Sequence, residues 1–207
     1  MARLHDIKKD DMENTYWGIA TSLWFNHCPH RCLWLGCWNQ ETWDLDESLE
    51  IDNDEVIEKT LRYLDSNGIN RSLTLLGGEP FSPYNLDDLN YILSSIKLSR
   101  PNTKVLSWSG YEFHVLKSSP RYLDVIKNID ILVCGRFLEK YKCKDTTKMY
   151  GSENQYIVDV QESLSIGQTV YIEKGEQFLG LEEMRIKRRS QRFNNWQNKI
   201  KEISIWV

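Results

Sequence analysis

The chain has 207 residues, with 26 lysines and arginines against 30 aspartates and glutamates, a formal net charge of −4. That length suits one domain, perhaps extended by an appendage, and the charge balance argues against a general nucleic-acid binder. Hydrophobic residues make up 41% and there are eight tryptophans, enough for a packed interior. The charged opening, MARLHDIKKDDMEN, is no secretory signal, and no run of about 18 apolar residues exists to span a membrane. A cytoplasmic location is therefore the expectation, with no membrane and no nucleic acid as partner. Three of the five cysteines fall within ten residues. In a reducing compartment such clustering points to metal or redox chemistry rather than a disulfide frame.

In chain order, residues 16–25 (YWGIATSLWF) read as a first strand, and a cysteine loop follows through Trp43. Residues 52–67 read as a helix capped by Asp52 or Asn53, with Ile57, Leu61 and Leu64 on one face and Gly68 at its end. Residues 72–76 form a short apolar run that ends in Gly77-Gly78 and reads as a buried strand. A second helix is expected over 86–98, with Leu86, Leu89, Leu93 and Ile96 buried and Pro101 as its stop. Strands are expected at 104–108, 131–134, 156–160 and 169–172, with a short helix from Pro120 through Ile129. This alternation predicts an α/β fold built of right-handed βαβ units around a mostly parallel sheet. Ligands of such sheets sit beyond the carboxyl ends of the strands, where the turns after Phe25, Leu76 and Trp108 fall. Residues 1–172 form the expected main domain. Residues 173–207 form a C-terminal extension, read as helical and basic: seven basic and no acidic residues lie from Arg185 to Lys201.

The loop reads Cys28-Pro29-His30-Arg31-Cys32-Leu33-Trp34-Leu35-Gly36-Cys37. Three thiolates this close can converge on one metal centre. On a cubane of four irons they leave one iron without a protein ligand, the open position that catalysis needs. Gly36 lets the loop wrap a bulky cluster. The competing reading is a zinc knuckle, with His27, His30 or Cys143 as fourth ligand, although no second paired half is present. Trp24, Trp34, Trp38 and Trp43 flank the cysteines, as a wall against solvent or as ordinary packing. Cys134 reads as a small buried hydrophobe, and neither it nor Cys143 as a cluster ligand.

The segment from Cys28 through Gly36-Cys37-Trp38-Asn39-Gln40-Glu41-Thr42-Trp43 resembles the cluster loop of the anaerobic ribonucleotide reductase activating proteins, small radical S-adenosylmethionine (SAM) enzymes. Four further matches follow in order: LTLLGGEP from Leu73, Trp108-Ser109-Gly110-Tyr111, DILVCGRF from Asp130, and Gly151-Ser152-Glu153-Asn154-Gln155 leading into a strand. Together they cover roughly residues 16–165. Two departures stand out. The family spacing is Cys-x3-Cys-x2-Cys, and here the second gap holds four residues, as if Leu33-Trp34 were inserted; Cys134 stands where the family has an Asp.

The resemblance implies a partial (β/α) barrel of radical SAM type and a 4Fe–4S cluster on Cys28, Cys32 and Cys37. It implies SAM as cofactor, reductively cleaved to methionine and a 5′-deoxyadenosyl radical that abstracts hydrogen. The cofactor-binding residues expected from it are Gly36, Trp38, Gly77, Gly78, Glu79 and Ser109, the two glycines letting backbone approach the methionine part. No acid–base side chain is expected to carry the reaction. The implied partners are a large glycyl-radical enzyme, foremost an anaerobic ribonucleotide reductase, and an electron donor such as flavodoxin. Two alternatives remain: a radical SAM enzyme that modifies a small molecule or peptide, and a non-catalytic iron–sulfur or zinc module.

Overall fold

The structure, a computed structural model, describes residues 1–32 and 36–180. Eight strands form one open sheet: β1 (Ala2–Asp11), β2 (Ala20–Phe25), β3 (Glu50–Ile51), β4 (Ser72–Gly77), β5 (Val105–Ser109), β6 (Ile131–Cys134), β7 (Tyr156–Asp159) and β8 (Val170–Lys174). Their spatial order is β3-β1-β2-β4-β5-β6-β7-β8. The middle four, β2, β4, β5 and β6, run parallel. The flanking pairs β1–β2, β1–β3, β6–β7 and β7–β8 are antiparallel. The expectation of a mostly parallel sheet is thus corrected: only the central strands β2, β4, β5 and β6 are parallel, and every pair that flanks them is antiparallel.

The helices are α1 (Asn53–Leu64), α2 (Leu86–Ser99), α3 (Phe113–Ser118), α4 (Pro120–Ile126) and α5 (Val160–Ile166). Asp52 caps α1 by accepting from the amides of Asp54 and Glu55, as its place before an apolar-periodic run predicts. The face of α1 that is fully buried is Val56, Thr60 and Leu64, while Ile57 and Leu61 are only partly covered. Along α2 the buried stripe is Leu86, Leu89, Ile92, Leu93 and Ile96. These helix faces join Leu23, Phe25, Leu73, Leu75, Leu132 and Val158 in one core. Alternate residues of the strands, Leu106, Ile131, Val133 and Ile157, face the other way into a smaller cluster with Tyr150, as the two-residue strand period requires.

Register brings the expected turns together. Phe25 pairs with Gly77, and Ser109 pairs with Cys134. The chain therefore leaves β2, β4, β5 and β6 along one edge of the parallel core. At the far side, β8 runs across the 172/173 boundary and pairs with β7. The basic stretch 185–201 lies outside the described residues. Among the described residues no helix is long and apolar enough to cross a membrane.

Candidate metal centre

The cysteine loop begins where β2 ends. His27 and Arg31, the residues before Cys28 and Cys32, both take positive φ, 70° and 41°. Side-chain-bearing residues adopt that region at a cost, which polar fastening offsets. The Cys28 amide donates to the Trp43 carbonyl (3.2 Å), so the loop closes on itself. His27 Nδ1 meets Ser82 Oγ at 2.6 Å, and its ring lies edge-on to Tyr84. Asn85 Nδ2 donates to the carbonyls of Asn26 (2.8 Å) and Glu79 (3.1 Å).

Residues 77–80 seat against the base of this loop. The Gly78 amide donates to the Phe25 carbonyl (2.7 Å) and the Glu79 amide to the His27 carbonyl (2.9 Å). Asn39 Nδ2 donates to the Gly77 carbonyl (2.8 Å). A Cβ on Gly77, whose φ is +104°, would lie 2.6 Å from the Phe25 nitrogen and oxygen; one on Gly78 would lie 2.6 Å from the His27 oxygen. Gly77 is thus required by the backbone at the end of β2 and Gly78 by that of the cysteine loop, which fill the space their missing side chains leave.

Glu79 is 1% exposed. Its carboxylate accepts from the Phe81 amide (3.0 Å), Ser109 Oγ (3.0 Å) and the Gly110 amide (2.7 Å). His30 Nε2 stands 2.9 Å from its Oε2. Glu79 and Ser109 are therefore brought together with the cysteine loop, although both are engaged with each other. Gly36 packs elsewhere: a Cβ there would run into Glu139 and the Phe137 ring. Trp38 is 86% exposed and walls off nothing among the described residues. Trp34 lies outside the described residues.

None of the five cysteines is in a disulfide. Cys28 and Cys32 are buried, and Cys37 is half-buried. Burial first, then the Glu79 charge, pushes the Cys28 thiol up to about 12. Burial also raises Cys32, opposed by the Arg136 guanidinium, which donates toward its sulfur and to the Arg31 carbonyl (3.3 Å). Cys28 feels the charge of Cys32, and Cys32 that of Cys37, so the three thiols stand as electrostatic neighbours. Among the described residues no three His, Cys, Asp or Glu side chains close to the spacing of a single-ion site. A cubane places each thiolate on a different iron and asks for a wider spread. The donor set, three free thiols on one fastened loop, fits a cluster. Cys134 is fully buried in β6, and the Cys143 sulfur is turned to the Asp145 carbonyl.

A profile for 4Fe-4S single cluster domains matches residues 17–158. This chain belongs to that family. Curated relatives agree. The chain is 31% identical over 141 residues to the anaerobic ribonucleoside-triphosphate reductase-activating protein of Vibrio cholerae, covering 68% of this chain and 87% of that protein. The Pasteurella multocida protein of the same name gives the same identity and coverage. That of Enterobacteria phage T4 is 27% identical over 138 residues, 67% of this chain and 82% of the phage protein. The 4Fe–4S family match spans all three loop cysteines and every turn gathered at the edge described above.

Sequence reasoning gave His30 no role beyond a possible zinc ligand, quoted Asn39 only as part of the resembling segment, and missed Asn85. The one available signal was position. His30 lies between two cysteines, Asn39 stands two residues past the last of them within the loop, and Asn85 follows the 77–80 turn, where buried backbone needs side-chain partners.

Proposed function

We propose that this chain is a radical SAM activase that generates a glycyl radical on an anaerobic ribonucleotide reductase. The supporting observation is the fastening of a three-cysteine loop onto the 77–80 turn, in a chain related to proteins named as activators of that reductase. Cys28, Cys32 and Cys37 would hold the cluster, leaving one iron for SAM. Trp38, Glu79 and Ser109, with backbone of the Gly77-Gly78 turn, would line the SAM side, while Gly36, packed on Phe137, would serve the turn of the loop. When bound, the cluster and SAM supply the electron transfer and C–S cleavage that make a hydrogen-abstracting 5′-deoxyadenosyl radical.

The chain's own part is placement and shielding. Burial of Cys28 and Cys32 keeps water from two of the three sulfurs. Glu79 ties the ends of β4 and β5 into one rigid corner. We read the open sheet as a partial barrel of radical SAM type, with the strand-end edge free for a partner's glycine loop. Trp38, exposed next to Cys37, would then be covered by the partner or by SAM rather than by this chain. A flavodoxin-like protein would serve as electron donor.

The test is to mix the anaerobically reconstituted chain with an anaerobic ribonucleotide reductase, SAM and a reductant. The expected result is a doublet EPR signal on the reductase that disappears when its radical-site glycine is changed to Ala. Vigorous SAM cleavage with no glycine-centred signal would overturn the activase reading in favour of an enzyme acting on a small molecule or peptide.

A further inference from the structure

We propose that His30 is a positioning residue whose imidazole clasps the cysteine loop to Glu79, fixing Cys28 and Cys32 against the 77–80 turn. The inference deepens the reading of this loop as a cluster site and rests on it for its purpose, although not for its test.

His30 sits midway between Cys28 and Cys32. Its Nε2 lies 2.9 Å from Glu79 Oε2. That nitrogen is buried and its hydrogen is aligned on no acceptor, so its contact with the Glu79 carboxylate is a close polar approach rather than an in-line hydrogen bond. A carboxylate only accepts, so Nε2 must carry the hydrogen.

Two features show that the fold makes room for this imidazole. Its ring stands edge-on to Tyr111, centroids 4.5 Å apart at 70°. A Cβ on Gly110 would come within 2.3 Å of His30 Cδ2. Gly110 is thus small where the ring passes, while its amide donates to the same Glu79 that the ring faces.

Glu79 is a rigid anchor. Three donors from the 79–82 turn and the end of β5 hold its carboxylate. Among the described residues, His30 is the side chain that reaches this carboxylate from the cysteine loop. Without it, a buried carboxylate would face an empty space, and the segment between Cys28 and Cys32 would keep only the Arg136 guanidinium on the Arg31 carbonyl as a polar tie to the strand-end edge.

A ring that only fills space and a ring that clasps differ in what can replace them. Filling needs an aromatic of similar size. Clasping needs an N–H at the Nε2 position, which Gln supplies and Phe does not.

The experiment measures, in the metal-free full chain, the iodoacetamide alkylation rates of Cys28 and Cys32 resolved by mass spectrometry. In His30→Ala both rates should rise about tenfold, because opening of the loop no longer breaks a charge-assisted contact. His30→Gln should restore slow alkylation, and His30→Phe should not. Wild-type rates in His30→Ala, or protection by Phe equal to that by Gln, would overturn the clasp. Iron uptake by the wild-type chain tests the cluster reading separately. A chain that takes up no iron loses that reading, while the clasp is decided by the alkylation rates alone.

Discussion

Gly78→Ala tests the seating of the cysteine loop most directly. The added Cβ would lie 2.6 Å from the His27 oxygen, 2.9 Å from its carbonyl carbon and 3.1 Å from the Thr42 oxygen. All three are backbone atoms, so no side-chain rotation relieves the contact and the chain itself must move. The displaced carbonyl is the one that accepts from the Glu79 amide. Overpacking of this kind costs about 1–3 kcal/mol and a lost backbone hydrogen bond about 1 kcal/mol, so a loss of about 2–4 kcal/mol is expected. For a chain of this size each kcal/mol lowers the melting midpoint by about 2–4 °C, giving a fall of roughly 4–16 °C. Thermal melting of the metal-free chain by circular dichroism reads this, and an iron count after anaerobic reconstitution should fall with it. Gly18→Ala is the control: its φ is +91° but no atom lies within 4 Å of the added Cβ, so only conformational strain of about 1 kcal/mol applies. A Gly78→Ala chain that melts with the wild type and takes up iron normally would refute the seating.

Reconstituted wild-type chain should carry about four irons and four sulfides; Cys28→Ala, Cys32→Ala and Cys37→Ala should each abolish the cluster's absorption, while Cys134→Ala and Cys143→Ala keep it. The metal-free chain should be labile to alkali. Burial raises the folded-state values of Cys28, to about 12, and of Cys134 and Tyr156. Once pH passes the ordinary thiol range the unfolded chain sheds protons that the folded chain keeps, so stability is level below about pH 8 and falls above it, by up to about 1.4 kcal/mol per pH unit for each such group. A urea midpoint constant from pH 7 to pH 10 would contradict this. Finally, if the basic stretch 185–201 docks on an acidic partner surface, complex formation should weaken as salt rises, because exposed charges are screened over about 8 Å at physiological ionic strength; a salt-insensitive complex removes docking from that segment.

Much of this arrangement is legible in the sequence because local rules happen to agree with the fold. The apolar stripes of α2 and the short apolar runs of β4 and β6 announce themselves by period and length. The N-terminal strand β1 does not. Its sequence, ARLHDIKKDD, is mostly charged, and its register shifts twice against β2, so the alternation that marks a strand is broken. The helices α3 and α5, six and seven residues long, are too short to show a period. Face assignment on α1 was off by one position for a similar reason. Thr60 is buried although polar, and Ile57 and Leu61 are left at the rim. At the site, composition and spacing mark the three cysteines, but the fastening depends on contacts far apart in the chain. Asn39 to Gly77, His27 to Ser82 and His30 to Glu79 each join the loop to a segment tens of residues away. No periodicity encodes such pairs.

The manner of fastening bears on how the site would be loaded. The loop is held mainly by polar groups, with Asn26, Glu79, Ser82 and Asn85 all buried beneath it. Buried polar groups with their partners in place specify one arrangement, and each partner removed exposes a desolvation cost. A loop fastened in this way over its described parts, 27–32 and 36–43, would need little rearrangement to take up a metal, so loading it would ask mainly for loss of thiol protons. Here the sulfurs already have donors around them. The amides of His30 and Arg31 point to the Cys28 sulfur, and the Arg136 guanidinium and Phe137 amide to that of Cys32. A thiol gains little from an N–H donor, whereas a thiolate gains a charge-assisted bond. The pocket therefore opposes ionisation by burial and favours it by donor placement, and burial wins while the sites hold only protons. A metal that takes the place of those protons reverses the balance, because it supplies the positive charge that burial withholds. The same donors would then draw electron density from the ligating sulfurs and make a bound cluster easier to reduce.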